Sequence, residues 1–280
     1  MSLPSTLSEV VEYRGVEGLV AAKVTVDDNS TEAGHGYVTG DVFAIAGVAE
    51  ISKSVEQSSE AHYYDNQPMI VIDSVGSDTL TISASALPLD VVAEITGQTY
   101  LTSKGALVEE EATPSYYAVG YNTKKTNGDE VYVWRYKGKF QLGDLVNATK
   151  DNSTTANGQT LTYTGIATTH KFTATGKSAK AMCVDTGLNV ADVSNFFGSV
   201  TTPDTLAANQ SYTLTKTQGA STTLSVKRNG VELANSATIY AGDVLTIIVT
   251  GGTVTVNGSA FVSGNTHTVN GNVTVVSTHT

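Results

Sequence analysis

Apolar and polar positions alternate with a period of two, in short runs, along nearly the whole chain, and Gly, Asn, Asp and Ser interrupt the runs every few residues. This is the pattern of half-buried strands joined by turns, as in a β-sandwich or barrel. GLVAAKVTVDD (18–28) predicts a first strand that leaves into a polar loop. MIVIDSV (69–75) and TLTISAS (79–85) flank Gly76-Ser77-Asp78 and predict a hairpin turning there. SYYAVGYNTKKTNGDEVYVWRY predicts another, with Asn127-Gly128 supplying the positive φ angles of a type I′ turn. In its second strand Val131 and Val133 point to one face and Tyr132, Trp134 and Tyr136 to the other, so both faces are expected to be covered.

One segment departs from the β rhythm. LPLDVVAEITG (87–97) has Pro88 near its start and Gly97 at its end, which predicts a short helix burying Leu89, Val92, Ala93 and Thr96. After FFGSVTTPD (196–204) the chain becomes rich in Thr, Asn and Gly. Strands are predicted at SYTLTK, TLSVKR, DVLTIIVT, GTVTVNG and GNVTVVS, with Asn-Gly or Gly-Gly pairs between them. The expected organisation is a core domain over 1–200, a linker near 198–205, and a small Ig-like β domain over 203–280.

Charge sharpens this division. The formal net charge is -11, yet from Pro203 onward Asp204, Glu232 and Asp243 cancel Lys216, Lys227 and Arg228, so residues 1–202 carry the whole excess. Such a balance argues against a protein that grips nucleic acid, which needs clustered cations. Cys183 is the single cysteine, which excludes an intrachain disulfide. The first residues lack a signal-peptide pattern and no apolar run approaches the roughly 20 residues of a membrane helix, so the chain is expected to stay where it is made.

SSEAHYYDNQP (58–68) gathers Ser, Glu, His and Asp. In an extended strand Ser58, Glu60, His62 and Tyr64 share one face about 6.6 Å apart with parallel side-chain directions, whereas a catalytic relay needs convergence to about 3 Å. The stretch therefore reads as a polar strand, buried only by a partner. Other partial motifs fail. TGKSAK has Lys171 where a phosphate loop needs Gly, and GHGYVTG spaces its glycines wrongly for a dinucleotide fingerprint. DNSTTANG has Ala156 at the glycine position of a calcium loop, and the five histidines show no metal-ligand spacing. LVEEEATP reads as a solvated acidic loop. No catalytic, cofactor-binding or metal-binding residue is expected, and the chain reads as a non-enzyme.

Several stretches in order resemble the major tail protein, or tail tube subunit, of long-tailed bacteriophages of the phi13/TP901-1 type. They are YRGVEGLVAAKVTVD, the run from GDVFAIAGVAEISKSVEQSSEAHYYDNQP through LPLDVVAEITG, GALVEEEATPSYYAVGYNTKKTNGDEVYVWRYKGKFQLGD, and NGQTLTYTGIATTHKF. The resemblance covers roughly residues 10–190. It implies an all-β fold: a tail-tube β-sandwich with a short flanking helix; the segment after 203 lies outside the resemblance and looks like the Ig-like β-sandwich that some tail tube proteins carry on the tube exterior. It also implies partnership with copies of itself, in hexameric rings stacked into a tube that conducts DNA without specific binding. Tape measure protein and the tail terminator and distal tail proteins would be further partners, and the location would be the virion tail, assembled in the host cytoplasm. On this reading Glu50, Glu56 and Glu60 line the channel, with Ser52, Ser54 and Ser58 between them, and Tyr63 and Tyr64 make subunit contacts. Residues 29–42 and 55–67 are expected as loops or a long hairpin ordered by stacking. The alternative is a carbohydrate-binding or capsid-decoration protein.

Overall fold

The computed structural model describes residues 11–64, 66–143 and 158–279. Two compact units divide the chain: one comprises Glu12–Val184 with Asn195–Leu206, the other Asp185–Ser194 with Ala207–Thr280. Both are β structures, and a single α-helix occurs among the described residues.

The first unit contains β1 (Tyr13–Asp27), β2 (Tyr37–Ala44), β3 (Val48–Tyr64), β4 (Gln67–Ala84), α1 (Leu89–Thr96), β5 (Thr99–Leu101), β6 (Ala106–Val108), β7 (Tyr117–Lys125), β8 (Glu130–Leu142), β9 (Gln159–Ile166) and β10 (Ala181–Asp185). Its main sheet runs β2-β1-β7-β8-β9-β4-β3, with β10 also paired to β8, and β5 and β6 form a separate small hairpin. Every neighbouring pair along the main path is antiparallel. The sheet curls until β1 comes near β3, enclosing Leu19, Leu80, Ile82, Val119, Leu161 and the rings of Tyr117, Phe140 and Tyr163. Burial of each such side chain contributes roughly 1.5–3 kcal/mol. The tyrosine hydroxyls are not stranded there: Tyr163 donates to the Tyr117 carbonyl at 2.9 Å and Tyr117 to the Glu94 carbonyl at 2.5 Å.

Three sequence expectations are corrected. α1 follows Pro88 and ends at Gly97 in the left-handed region (φ 75°), as its punctuation requires, but it buries Val92, Ala93 and Ile95. Leu89 is 50% exposed, because the apolar stripe is centred nearer Ile95 than Leu89. Gly76-Ser77-Asp78 is no turn. It lies inside β4, where the register shifts between the pairs Val55↔Asp78 and Gln57↔Val75, placing an extra residue opposite Glu56. A Cβ on Gly76 would stand 2.8 Å from Glu56 Oε2. The hairpin turns instead beyond Tyr64↔Gln67, next to Asn66 at φ 60°. At Asn127-Gly128 only the glycine has positive φ (93°), and Lys125 N donates to the Asp129 carbonyl, so the loop has three residues. The type I′ pattern of two positive φ angles occurs at Asn229-Gly230 and Asn257-Gly258.

β8 is covered on both faces. Val131 and Val133 enter the core, while Trp134 and Tyr136 are buried on the opposite side. There Asn195–Leu206, which includes the linker expected near 198–205, is a packed strap: Phe196 and Phe197 make edge and tilted contacts with Tyr132, and Phe197 with Trp134. Trp134 Nε1 donates to the Phe196 carbonyl at 2.9 Å and Tyr136 Oη to that of Thr201 at 3.2 Å.

The second unit contains β11 (Ser211–Thr217), β12 (Thr223–Arg228), β13 (Val231–Glu232), β14 (Thr238–Tyr240), β15 (Val244–Thr250), β16 (Gly252–Val256), β17 (Ser259–Phe261), β18 (Thr266–Thr268) and β19 (Val273–His279). Sheets β14-β11-β19-β16-β17 and β13-β12-β15-β18 share a core that includes Leu214, Val226, Ile239, Ile247 and Val275. It is a sandwich in which β11 and β19 pair in parallel, from Leu214↔Val273 to Thr217↔Val276.

Candidate functional site

Among the described residues the main sheet is open at both margins, since β2 pairs only with β1 and β3 only with β4. A margin of this kind presents unpaired N–H and C=O groups to any strand that can align with them. The β3 margin is also extended. β4 pairs with β9 only from Asp78 to Ala84, whereas β3 and β4 continue pairing with each other to Tyr64↔Gln67. Beyond Asp78 the two strands form an arm held by its own ladder, roughly 25–30 Å long at the usual rise per residue. Met69 (63% exposed), Ile70 (50%) and Val71 (59%) lie on this arm. Consecutive strand residues face opposite ways, so the arm carries apolar surface on both of its faces.

The arm's root is fixed by charge. Asp78, buried on the inner side of β4, accepts from Arg135 Nη1 at 2.9 Å and Lys180 Nζ at 3.2 Å, with Lys53 Nζ at 3.6 Å. Lys180 also donates to the Gly76 carbonyl. Burial works to raise the Asp78 carboxyl, but the hydrogen bond from Lys180, the charges of Lys53 and Lys180 and the hydrogen bond from Arg135 outweigh it and hold the carboxyl below its ordinary range. On the other side of the sheet Glu56 accepts from Ser77 Oγ at 2.9 Å, tying the bulge across the two strands.

Glu50, Glu56 and Glu60 all lie on β3 and are exposed. They share the face opposite Ile51, which packs on the core. Between Glu50 and His62 that face carries only Ser, Glu and one His, with no Lys or Arg. Its three carboxylates are spread over about 33 Å of strand. Register extends the face across the sheet: Ser52 and Ser54 stand beside Thr81 and Thr79, which stand beside Thr162 and Thr164. Ser83 and Thr160 complete a patch of exposed and half-buried hydroxyls. The alternations TLTIS and TLTYT signal this hydroxyl face in the sequence, where the Leu, Ile and Tyr between the hydroxyls mark the buried side.

Ser58 and His62 are four residues apart on β3, about 13 Å along the strand, and are not brought together. Asp65 and residues 151–157 lie outside the described residues. Tyr63 and Tyr64 pair through their backbones with Pro68 and Gln67, and their side chains lie outside the described set. The 29–42 stretch divides into a loop and β2. In the loop Asp28 accepts from the Gly36 amide at 2.9 Å and from His35 Nδ1 at 2.7 Å, which bring its carboxyl down to about 2. Among the described residues no group of three or more His, Cys, Asp or Glu is arranged to hold a metal, and no helix is long and apolar enough to cross a membrane. Neither a protein-family model nor a curated protein matches the chain.

Proposed function

We propose that this chain is a self-assembling structural subunit of the phage tail tube kind, whose copies close into rings that stack around a DNA-conducting bore. The observation that carries the reading is the open sheet with its projecting arm. β2 of one copy set against β3 of the next is a head-to-tail contact, and such a contact generates a ring when its rotation closes. The arm reaches past its own sheet with apolar residues on both faces, and cover from neighbouring copies would contribute roughly 1 kcal/mol for each of Met69, Ile70 and Val71. The face of Glu50, Glu56 and Glu60 with its hydroxyls suits a bore, because carboxylates repel phosphates and hydroxyls offer no fixed cation to hold them. The six-fold ring, the tape measure, terminator and distal tail partners, and the place in the virion tail follow from the family resemblance. So does the exterior position of the C-terminal sandwich.

The test is electron microscopy and sedimentation of the purified full chain across concentration and ionic strength. Rings or tubes are expected, lost on Ile70→Asp with the melting temperature unchanged. Single globules under every condition would overturn the reading and favour the carbohydrate-binding or decoration alternative, which glycan-array binding would then test.

A further inference from the structure

The cations around Asp78 exceed what that carboxylate can neutralise. Lys53, Arg135 and Lys180 converge on one acid, and Arg135, only 5% exposed, has a buried Nε with no hydrogen-bond partner among the described residues. The surplus opens to solvent, since the side chains of Lys53 and Lys180 keep 44% and 24% of their surface. The loop 167–180 that supplies Lys180 adds Lys171 and Lys177 and contains no acid. The acids on this side are Asp78 and Asp204. Asp204 accepts the Thr173 and Ala174 amides, and Glu56 is bonded to Ser77 on the opposite face of the sheet. Asp27 and Asp28 nearby are taken up by Lys137 and His35. At the cluster itself three cations therefore stand against one carboxylate, in a unit whose overall balance is strongly acidic.

The same unit holds the complement. Residues 86–116 carry Asp90, Glu94, Glu109, Glu110 and Glu111 against Lys104 alone, and all five acids are exposed. Glu94 accepts from Tyr117 and Glu110 from Thr99. Among the described residues none of the five forms an ion pair with a Lys or Arg of its own copy.

We infer that the basic cluster of Lys53, Lys180 and Arg135 docks the acidic segment 86–116 of a second copy of this chain. This rests on the self-assembly reading and deepens it by naming which surfaces meet. Two unlike patches on one subunit make a heterologous contact, which has a direction. Charge complementarity of this kind speeds encounter and selects orientation, and it weakens with salt.

The test reverses each side of the contact in the full chain, with sedimentation reporting the concentration needed for polymer. Lys53→Glu alone, and Glu109→Lys with Glu111→Lys, should each raise that concentration about tenfold or more at low salt, while the triple variant returns to within about threefold of the parent. Circular dichroism melting checks the fold, and Lys53→Gln replaces Lys53→Glu should the latter melt early. Reversed variants that polymerise like the parent, or a triple variant that stays unassembled, overturn the inference while the tube reading stands. A parent that is folded but never polymerises overturns both. Lys53→Glu that abolishes retention of a duplex DNA probe without changing polymerisation assigns the cluster to nucleic acid and also overturns the inference.

Discussion

Replacing Asp78 by Ala is the most informative single perturbation of the arm. Asp78 and Arg135 are 4% and 5% exposed, and their bond at 2.9 Å links β4 to β8 across the intervening β9. Removing the acid leaves a buried guanidinium whose Nε already has no partner. Breaking a buried pair from one side costs about 3–5 kcal/mol. Loss of the Lys53 contact adds little, because that side chain is 44% exposed and screened. In a domain of 150–250 residues each kcal/mol moves the melting temperature by about 2–4 °C, so a fall of roughly 6–20 °C is expected by calorimetry. Arg135→Met alone leaves Asp78 with its two lysines and should cost less. The double variant Asp78→Ala with Arg135→Met should be more stable than Asp78→Ala alone, since replacing both members of a buried pair by apolar groups is often neutral. A fall under about 2 °C, or strictly additive single effects, would refute the view that Asp78 holds the root of the arm through Arg135.

Other outcomes follow from the same geometry. Asp27 and Asp78 both titrate low, Asp27 because hydrogen bonds from Lys137 and the Thr169 and His170 amides outweigh its burial. Their contribution is fully present above the unfolded carboxyl pKa of about 3.9 and is lost as pH falls through the lower folded values, so melting temperatures should hold from pH 7 to about 5 and drop below about 4. Asp78→Asn should flatten part of that drop. Phe196→Ala removes a ring that is 2% exposed and should cost about 3–5 kcal/mol. Because Trp134 is the single tryptophan and donates to the Phe196 carbonyl, a red shift of its emission reports loosening of the strap. An Asp28 carboxyl held near 2 predicts that the Gly36 amide stays bonded at pH 4, with a carboxyl titration by NMR as the check.

The β character, the helix and the C-terminal strands were legible because each rests on local chemistry: side-chain alternation, Pro88 before α1 and Gly97 after it. Errors arose where one residue type serves two geometries. Gly76-Ser77-Asp78 has turn composition, yet a bulge inside a continuous strand uses the same residues, and only the pairing partner distinguishes them. The strap was missed for a related reason. FFGSVTTPD looks like a linker until Trp134, more than sixty residues earlier, supplies the surface that Phe197 covers. The even-numbered glutamates of β3 could be placed on one face from parity alone, because the one extra residue on β3 falls at Ala49, before Glu50, and the later shifts insert residues into β4, leaving β3 unbroken from Glu50 to His62. The Asp78 cluster joins β3, β4, β8 and the 167–180 loop, and no spacing in the sequence announces it.

In the second unit, β11 and β19 lie side by side and run the same way. Tension applied between Ser211 and His279 would therefore pull these neighbours lengthwise past each other, loading the bonds between Leu214–Thr217 and Val273–Val276 together. An antiparallel closing pair would unzip one bond at a time under the same pull. This pairing predicts that the sandwich resists such a pull more strongly than one closed by an antiparallel pair.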